Sequence, residues 1–183
     1  MTTGARPIGP LPDALWPAEI DDLRDGYAGA LNVYRTMANH PALTRAWANL
    51  RQHVVKDTSL GLERSEVVIL RTGVRLESDY EWAHHVSRAR ALGFSDARIR
   101  AIRGTPEGED GLLVRGVDAM FDQHQMPLAL EAELRDAIGT HGVFDLIATV
   151  GFYSVLGTIL KTYDVPIDDA IVAELQAAPI DQA

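Results

Sequence analysis

The longest apolar stretch of the chain, Val143 to Leu160, has to be removed from water. It barely reaches the roughly 18 to 20 apolar residues that a membrane-spanning helix needs, and it contains four polar residues: Asp145, Thr149, Ser154 and Thr158. Its apolar residues cover most faces of a helix, which is typical of a helix in a core or at a subunit interface. The sequence therefore predicts a buried core helix here.

The other segments repeat their apolar residues at helical spacing. Helices are predicted over residues 18–24, 27–38, 41–57, 62–76, 79–92, 95–103, 111–123, 127–139 and 142–163. No run shows the sustained alternation that a half-buried strand needs, so the predicted fold class is all-α. We expect one helical domain over residues 18–175, an N-terminal arm over residues 1–17 and a C-terminal tail over residues 176–183.

Charge and composition restrict the partners of this domain. The formal net charge is -9 and the sequence pI is about 5.0, which opposes binding to nucleic acids and to anionic membranes. Residues 1–17 have neither the apolar core of a secretory signal nor the pattern of a transit peptide, so we expect a cytoplasmic protein. The chain has no cysteine, which excludes disulfides, thiolate nucleophiles and thiolate metal ligands.

One pair of helices concentrates ionisable side chains on apolar surfaces. Glu81 and His85 are four residues apart and share one helix face, where the carboxylate is expected to orient the imidazole and raise its pKa. Glu66 lies one helix earlier, and an antiparallel hairpin would bring it over the pair. Such a group is suited to proton transfer, so Glu66, Glu81 and His85 are the candidate catalytic residues.

The same residues have purely structural interpretations. Ser78 and Glu81 have the spacing of a capping box, in which the Glu81 side chain would bond back to the start of the helix. A Glu and His pair at this spacing is also common on solvated helix surfaces. His84 points about 100° away from His85 and is expected to be solvated or at an interface. Trp82 and Val86 are expected to form a packing stripe.

The spacing of these residues resembles that of a known superfamily. Alkylhydroperoxidase D and its relatives in the carboxymuconolactone decarboxylase superfamily share Glu, eleven residues, Cys, two residues, Cys, three residues and His. The corresponding residues here are Glu66, Ser78, Glu81 and His85, so both cysteine positions are replaced. The segment Tyr80-Glu81-Trp82-Ala83-His84-His85 is similar to the cysteine-free branch, which includes the decarboxylase.

This resemblance, which covers roughly residues 31–166, implies both a fold and a type of chemistry. It implies an alkylhydroperoxidase D-like helical bundle whose core hairpin carries the motif, assembled as a homo-oligomer such as a dimer, trimer or hexamer. It further implies a lyase or isomerase that acts on a small organic acid or lactone without a cofactor, and that is not a thiol peroxidase. Candidate ligand-binding residues are Ser78, Tyr80, Trp82 and Tyr153.

Two alternatives remain open at this point. Glu66, Glu81 and His85 are a ligand set that suits iron or manganese, with water completing the coordination shell. In the second alternative, the chain is a binding or scaffold protein that has this fold but no enzymatic activity, because a fold alone does not confer function. None of the motif positions is an arginine, so a substrate carboxylate would have to meet Arg35, Arg71 or Arg75 in three dimensions.

Overall fold

The computed structural model describes residues 8–180, and every regular element in this range is helical, as the sequence predicted. The α-helices in this range are α1 (Tyr27–Ala30), α2 (Asn32–Met37), α3 (Pro41–Gln52), α4 (Leu62–Arg75), α5 (Asp79–Ala91), α6 (Asp96–Ala101), α7 (Gly108–Gln123), α8 (Leu128–Tyr163) and α9 (Asp169–Ala177). Two 3₁₀ turns, Asp13–Leu15 and Ala18–Leu23, precede α1, and a π-helical turn, His53–Asp57, extends α3. The first seven residues of the predicted arm and the last three of the predicted tail lie outside the described residues.

Helix α4 is central, and it packs against α5, α7 and α8. Its apolar residues point in two directions, so it joins two hydrophobic clusters. Val67, Val68 and Leu70 belong to a cluster with α7 and the first part of α8. Ile69 belongs to a second cluster with α2 and the later part of α8. The two-sided apolar pattern of this segment therefore places α4, and the residues it carries, in the interior.

A tight hairpin connects α4 to α5. Glu77 takes a left-handed conformation with φ of 52°, and the Ser78 hydroxyl accepts a hydrogen bond from the Glu81 amide at 3.4 Å to begin α5. Gly73 lets the helices approach closely, because a Cβ at this position would lie 3.3 Å from the Cβ of Glu81. The hairpin thereby sets the motif residues of α5 directly against α4.

Helix α8 is the predicted core helix. Its backbone is kinked at Gly139, which has φ of 73°. The sequence predicted that one helix ends at this residue and that another begins three residues later. By length and composition alone it is also apolar enough to cross a membrane, with a mean hydropathy of 1.8 in its most apolar window. However, 56% of that window is buried against the rest of the protein, which favours a core helix.

The single helix predicted over residues 27–38 is wrong in one respect, because Leu31 divides it into α1 and α2. Leu31 has an extended backbone, with φ of -121° and ψ of 135°. The amide of Asn32, at the start of α2, donates to the Asp168 carboxylate at 3.0 Å. Asp168 is 136 residues away in sequence, so local periodicity could not indicate this break.

One face of α8 exposes large apolar side chains. Phe144 is 69% exposed, and Ile147 and Val155 are each 43% exposed. A Cβ added to Gly151 on the same helix would meet nothing within 4 Å. Gly157, in contrast, contacts the core, where an added Cβ would lie 2.7 Å from Leu76. The helix therefore has one buried side and one open apolar stripe.

Two leucines of α8 provide a matched test of its role in the core. Leu134 is fully buried and Leu128 is 87% exposed. We expect Leu134→Ala to lower the free energy of unfolding by about 2–5 kcal/mol, because it removes buried methyl groups and leaves a cavity. Leu128→Ala should change it by less than about 0.5 kcal/mol. Urea unfolding measures both, and equal effects of the two changes would contradict the assignment of the core.

Candidate functional site

A cavity of about 280 Å³ lies between α2, α3, α5, α8 and the C-terminal helix α9. Part of its wall is aliphatic and is formed by Leu31, Val33, Val55, Leu156 and Ile171. The polar part consists of three tyrosines and five ionisable side chains: Tyr34, Tyr80, Tyr153, Arg51, Glu81, His84, His85 and Arg88. A small cavity that combines an aliphatic wall with convergent polar groups is typical of a site for a small organic molecule.

Glu66 and His85 form the shortest contact of this site. The Nδ1 atom of His85 lies 2.5 Å from Oε2 of Glu66, and both side chains are buried, at 3% and 6% exposure. Because a carboxylate accepts hydrogen bonds, the imidazole donates its Nδ1 proton to Glu66. This bond between α5 and α4 fixes the ring and leaves Nε2 as the nitrogen available for proton transfer.

Glu81 lies on the other side of the imidazole. Its Oε2 atom is 3.5 Å from Nε2 of His85, which is longer than a typical hydrogen bond. Its Oε1 atom is buried and has no hydrogen-bond partner among the described residues. The sequence thus correctly predicted that the side chains of Glu81 and His85 lie together. However, Glu66, rather than Glu81, orients the imidazole ring.

Burial acts in opposite directions on the two groups. Removal from water raises the pKa of Glu81 to about 8, with the negative charge of Glu66 adding to the effect and Arg88 opposing it. Burial also lowers the pKa of His85 below 6.5, although Glu66 acts to raise it. The expected rise in the histidine pKa is therefore wrong, because desolvation outweighs the carboxylate. At neutral pH, a neutral carboxylic acid faces a neutral imidazole.

The capping role considered for Glu81 is only half realised. The Ser78 hydroxyl accepts from the Glu81 amide, as a capping box requires. The amide of Ser78, however, donates to the carbonyl of Gly73 at 2.9 Å, so it does not need the Glu81 side chain. The carboxyl group of Glu81 is therefore free to face the cavity.

The arginines beside the cavity are not those considered from the sequence. Arg71 and Arg75 pair with Asp118 on α7, and Arg35 pairs with Asp13. The cavity is instead lined by two other arginines, one on α3 and one on α5: Arg51 and Arg88. Arg88 lies on the helix that carries the motif, but the tertiary position of Arg51 had no local signal in the sequence.

His84 is buried, so the expectation that it is solvated or at an interface is wrong. Its Nδ1 lies 2.9 Å from the carbonyl of Tyr80, and its Nε2 lies 2.8 Å from the Asp168 carboxylate. The Tyr80 hydroxyl donates to the same carboxylate at 2.5 Å, and the rings of Tyr80 and His84 stack with centroids 4.0 Å apart. This network attaches the segment before α9 to the cavity wall.

The four candidate binding residues lie in different places. Tyr80 and Tyr153 line the cavity, and the Tyr153 ring meets the His85 ring edge-on, with centroids 5.1 Å apart. Ser78 is at the start of α5, outside the cavity lining. Trp82 packs in the hydrophobic cluster with Val86, as the packing-stripe interpretation predicted, and Arg103 stacks over its ring.

The metal alternative is not supported by the arrangement of these groups. Within residues 8–180, no set of three or more His, Asp or Glu side chains is placed to hold a metal ion. The Nδ1 atom of His85 is engaged by Glu66, and its Nε2 faces Glu81. Each ring nitrogen of His85 therefore already faces a carboxyl group.

Comparison with known proteins agrees with this architecture. Residues 41–107 match the model of the carboxymuconolactone decarboxylase family, and this range contains Glu66, Glu81 and His85. A comparison with curated proteins found no significant match. The resemblance noted in the sequence is thus confirmed by the family model over the segment that carries the motif.

Solved structures with the same fold extend the comparison to nearly the whole chain. A cysteine-to-alanine variant of the debrominase Bmp8, in complex with 2,3,4-tribromopyrrole, has a TM-score of 0.73 at 14% identity, covering 97% of this chain and 99% of its own. An alkylhydroperoxidase AhpD core protein from Ralstonia eutropha JMP134 has a TM-score of 0.74 at 18% identity, covering 91% and 96%. A peroxidase-related protein from Silicibacter sp. TM1040 has a TM-score of 0.75 at 12% identity, covering 93% and 97%. The fold is therefore alkylhydroperoxidase D-like.

The raised pKa of Glu81 predicts a specific dependence of stability on pH. Between about 4.5 and 8, the folded protein keeps the Glu81 proton that the unfolded chain releases, so this group contributes stability that is lost as the pH rises. Glu81→Gln removes that loss. The variant should therefore gain stability relative to the wild type as the pH rises from 5 to 8, by the order of a few kcal/mol, since one pKa unit corresponds to about 1.4 kcal/mol.

Urea unfolding of both proteins across this pH range measures the difference. His85 has a lowered pKa and acts in the opposite sense, with stability lost as the pH falls below 6.5. The part of the difference between pH 6.5 and 8 lies above the range in which His85 acts, and it therefore reports on Glu81. Glu19→Gln changes an exposed glutamate and provides the control, which should be flat. A flat difference curve for Glu81→Gln as well would contradict a neutral Glu81.

Proposed function

We propose that this carboxymuconolactone decarboxylase-like protein is a cofactor-independent enzyme that performs acid–base chemistry on a small carbonyl-containing organic acid or lactone. The reactions in this class are decarboxylation next to a carbonyl group and isomerisation of a lactone or enol. Each passes through an enolate, so the site has to stabilise a negative charge and deliver a proton to carbon. The described residues supply groups for both tasks.

The observation that carries this proposal is the buried, unpartnered carboxyl group of Glu81. Its Oε1 atom is removed from water without a hydrogen-bond partner among the described residues, which lowers the stability of the fold. A role in the chemistry of the cavity explains why such a group is kept. Its pKa of about 8 keeps it protonated at neutral pH, as a general acid requires. Glu81 is therefore the proposed proton donor to the carbon of the enolate.

His85 and Glu66 complete the proton path. After Glu81 has given its proton to the substrate, it is a carboxylate beside Nε2 of His85, at 3.5 Å. The negative charge then favours protonation of Nε2, which takes a proton from the substrate carbon in an isomerisation or from water in a decarboxylation and passes it to Glu81. Glu66 holds Nδ1 of the same ring and stabilises the transient positive charge. Tyr153, edge-on to His85, is the proposed donor to the enolate oxygen.

The scaffold alternative explains these features less well. A protein that only binds or assembles has no need for three buried ionisable side chains around one cavity. Thiol-dependent peroxide reduction, in turn, needs a thiolate nucleophile and a resolving thiol, and the chain contains no cysteine. An acid–base enzyme accounts for the spacing of the motif and for its chemistry.

We further propose that the protein works in the cytoplasm as a homo-oligomer. The support for assembly is the exposed stripe of Phe144, Ile147 and Val155 on α8. Apolar residues exposed on one face of a helix are typical of a subunit interface. A second copy of α8 is the proposed occupant, because Gly151 in the same stripe allows two backbones to approach closely.

Hydrogen exchange at carbon tests the proposed activity even while the net reaction is unidentified. The enzyme in D₂O should incorporate deuterium beside the carbonyl group of levulinate or 5-oxotetrahydrofuran-2-carboxylate, or release carbon dioxide from a β-keto acid, as followed by NMR. His85→Ala and Glu81→Gln should each lower the rate by about 10²–10⁴ fold, the usual effect of losing a general acid or base. The wild-type rate should fall as the pH rises through about 8, because Glu81 then loses its proton.

A histidine away from the cavity provides the matched control. His141 is exposed on α8, and His141→Ala should keep the wild-type rate. A folded His85→Ala protein with the full rate would place the chemistry elsewhere. If the wild type neither exchanges hydrogen in the keto acid and the lactone nor releases carbon dioxide from the β-keto acid, the scaffold alternative is favoured instead.

The oligomer is tested separately by changing the exposed stripe. Light scattering of the wild type should give a multiple of the 20.0 kDa chain mass, and Phe144→Asp should shift it toward a single chain, because the charge has to be desolvated in the interface. Leu128→Ala, which changes an exposed leucine on the same helix, is the control. A wild-type protein of one chain mass at all concentrations would contradict the proposal.

A further inference from the structure

Arg51 lines the cavity, yet no carboxylate among residues 8–180 pairs with it. Its guanidinium lies over the ring of Tyr27, 3.7 Å from the centroid, and 5.6 Å from the centroid of Tyr34. Its Nε atom is buried and has no hydrogen-bond partner among the described residues. Burying a charged donor without an acceptor is unfavourable, so this arrangement indicates a group that the protein itself does not provide.

The stacked position leaves Nε on the binding edge of the guanidinium without a partner, while another nitrogen of the group hydrogen-bonds the Tyr34 side chain. Contacts with an aromatic ring use the flat face of the group, whereas its N–H donors lie in the plane and point outward. Two parallel N–H donors match the two oxygens of a carboxylate. Tyr27 and Tyr34 therefore hold Arg51 in one orientation, with its Nε donor still unpaired.

The other arginine of the cavity is already engaged. Nε of Arg88 lies 3.6 Å from Oε1 of Glu66, so part of its charge is balanced by the proton-transfer group. Arg51 is on α3, away from that pair, and its charge acts on Tyr34, on which the charge of Glu81 acts as well. The cavity thus has a cationic group on the α3 side and the acid–base residues on the α5 side.

We propose that Arg51 binds the carboxylate of the substrate in a bidentate manner, so that the substrate spans the cavity past Tyr34 with its reacting carbon at Glu81. This inference rests on the proposed function, and it assigns the substrate class as a carbonyl compound with a carboxylate that is not lost from the Arg51 end. The aliphatic side chains of Val55 and Leu156 line the same cavity and suit an apolar carbon skeleton. A volume of about 280 Å³ limits the substrate to a small molecule.

Binding of a probe that cannot react tests this inference separately from catalysis. Tetrahydrofuran-2-carboxylate has no ketone or lactone carbonyl group, and its methyl ester has the same skeleton without the charge. In ligand-observed NMR titrations up to about 20 mM, the wild type should bind the carboxylate about 10- to 100-fold more tightly than the ester, as expected for a charge-assisted hydrogen bond. Arg51→Gln should remove this preference and leave the binding of the ester unchanged.

Three further proteins make the result specific. Arg51→Lys keeps the charge but not the planar pair of donors, so it should bind the carboxylate with intermediate affinity. Arg115→Gln removes an arginine that pairs with Glu133 on the surface, and it should bind both probes as the wild type does. Glu81→Gln should also retain the preference for the carboxylate, since the acid is not the binding group.

The outcomes separate this inference from the proposed activity. Equal binding of the two probes by the wild type, or binding of neither, overturns the role of Arg51, as does an unchanged preference in a folded Arg51→Gln protein. Loss of the preference without any hydrogen exchange on carbonyl acids would support Arg51 as the anion-binding residue and contradict the proposed chemistry alone. Retained ester binding shows that the cavity of the variant is intact.

Discussion

The hydrogen bond between His85 and Glu66 is the interaction on which the rest of the site depends. It joins the two helices of the central hairpin inside the core, where neither group can exchange its partner for water. Because Nδ1 is committed to Glu66, Nε2 has to face Glu81, and the two carboxyl groups take different roles. Without this bond, nothing would determine which ring nitrogen of the histidine faces which of the two carboxyl groups. The close approach at Gly73 makes it geometrically accessible.

The opposite pKa changes of Glu81 and His85 have one origin. Desolvation favours the neutral form of each group, so the same burial raises the pKa of the carboxyl group and lowers the pKa of the imidazole. At the two positions where the motif that this chain resembles has cysteines, the chain has Ser78, which begins α5, and Glu81, which is a buried acid. A fold does not by itself fix the chemistry of the residues it carries.

The sequence predicted most of the helices because amphipathic spacing is a local property. It also brought Glu66, Glu81 and His85 together, since two helices joined by a short turn have to pack against each other. It was wrong where a distant residue decides the outcome. Asp168 accepts a hydrogen bond from the Asn32 amide at the break between α1 and α2, and it also contacts the buried His84 ring. The sign of the His85 pKa change depends on burial depth, which spacing does not specify. Arg51 reaches the cavity through tertiary packing alone.

The attachment of Asp168 has a consequence for biosynthesis. This one carboxylate receives the Asn32 amide, the Tyr80 hydroxyl and Nε2 of His84, and Ile171 immediately beyond it closes part of the cavity wall. The hairpin of α4 and α5 is translated long before these residues. During synthesis the cavity therefore lacks this part of its wall until α9 has left the ribosome. A chain that ends before Asp168 loses the three hydrogen bonds to α2 and α5 together with the wall that Ile171 provides.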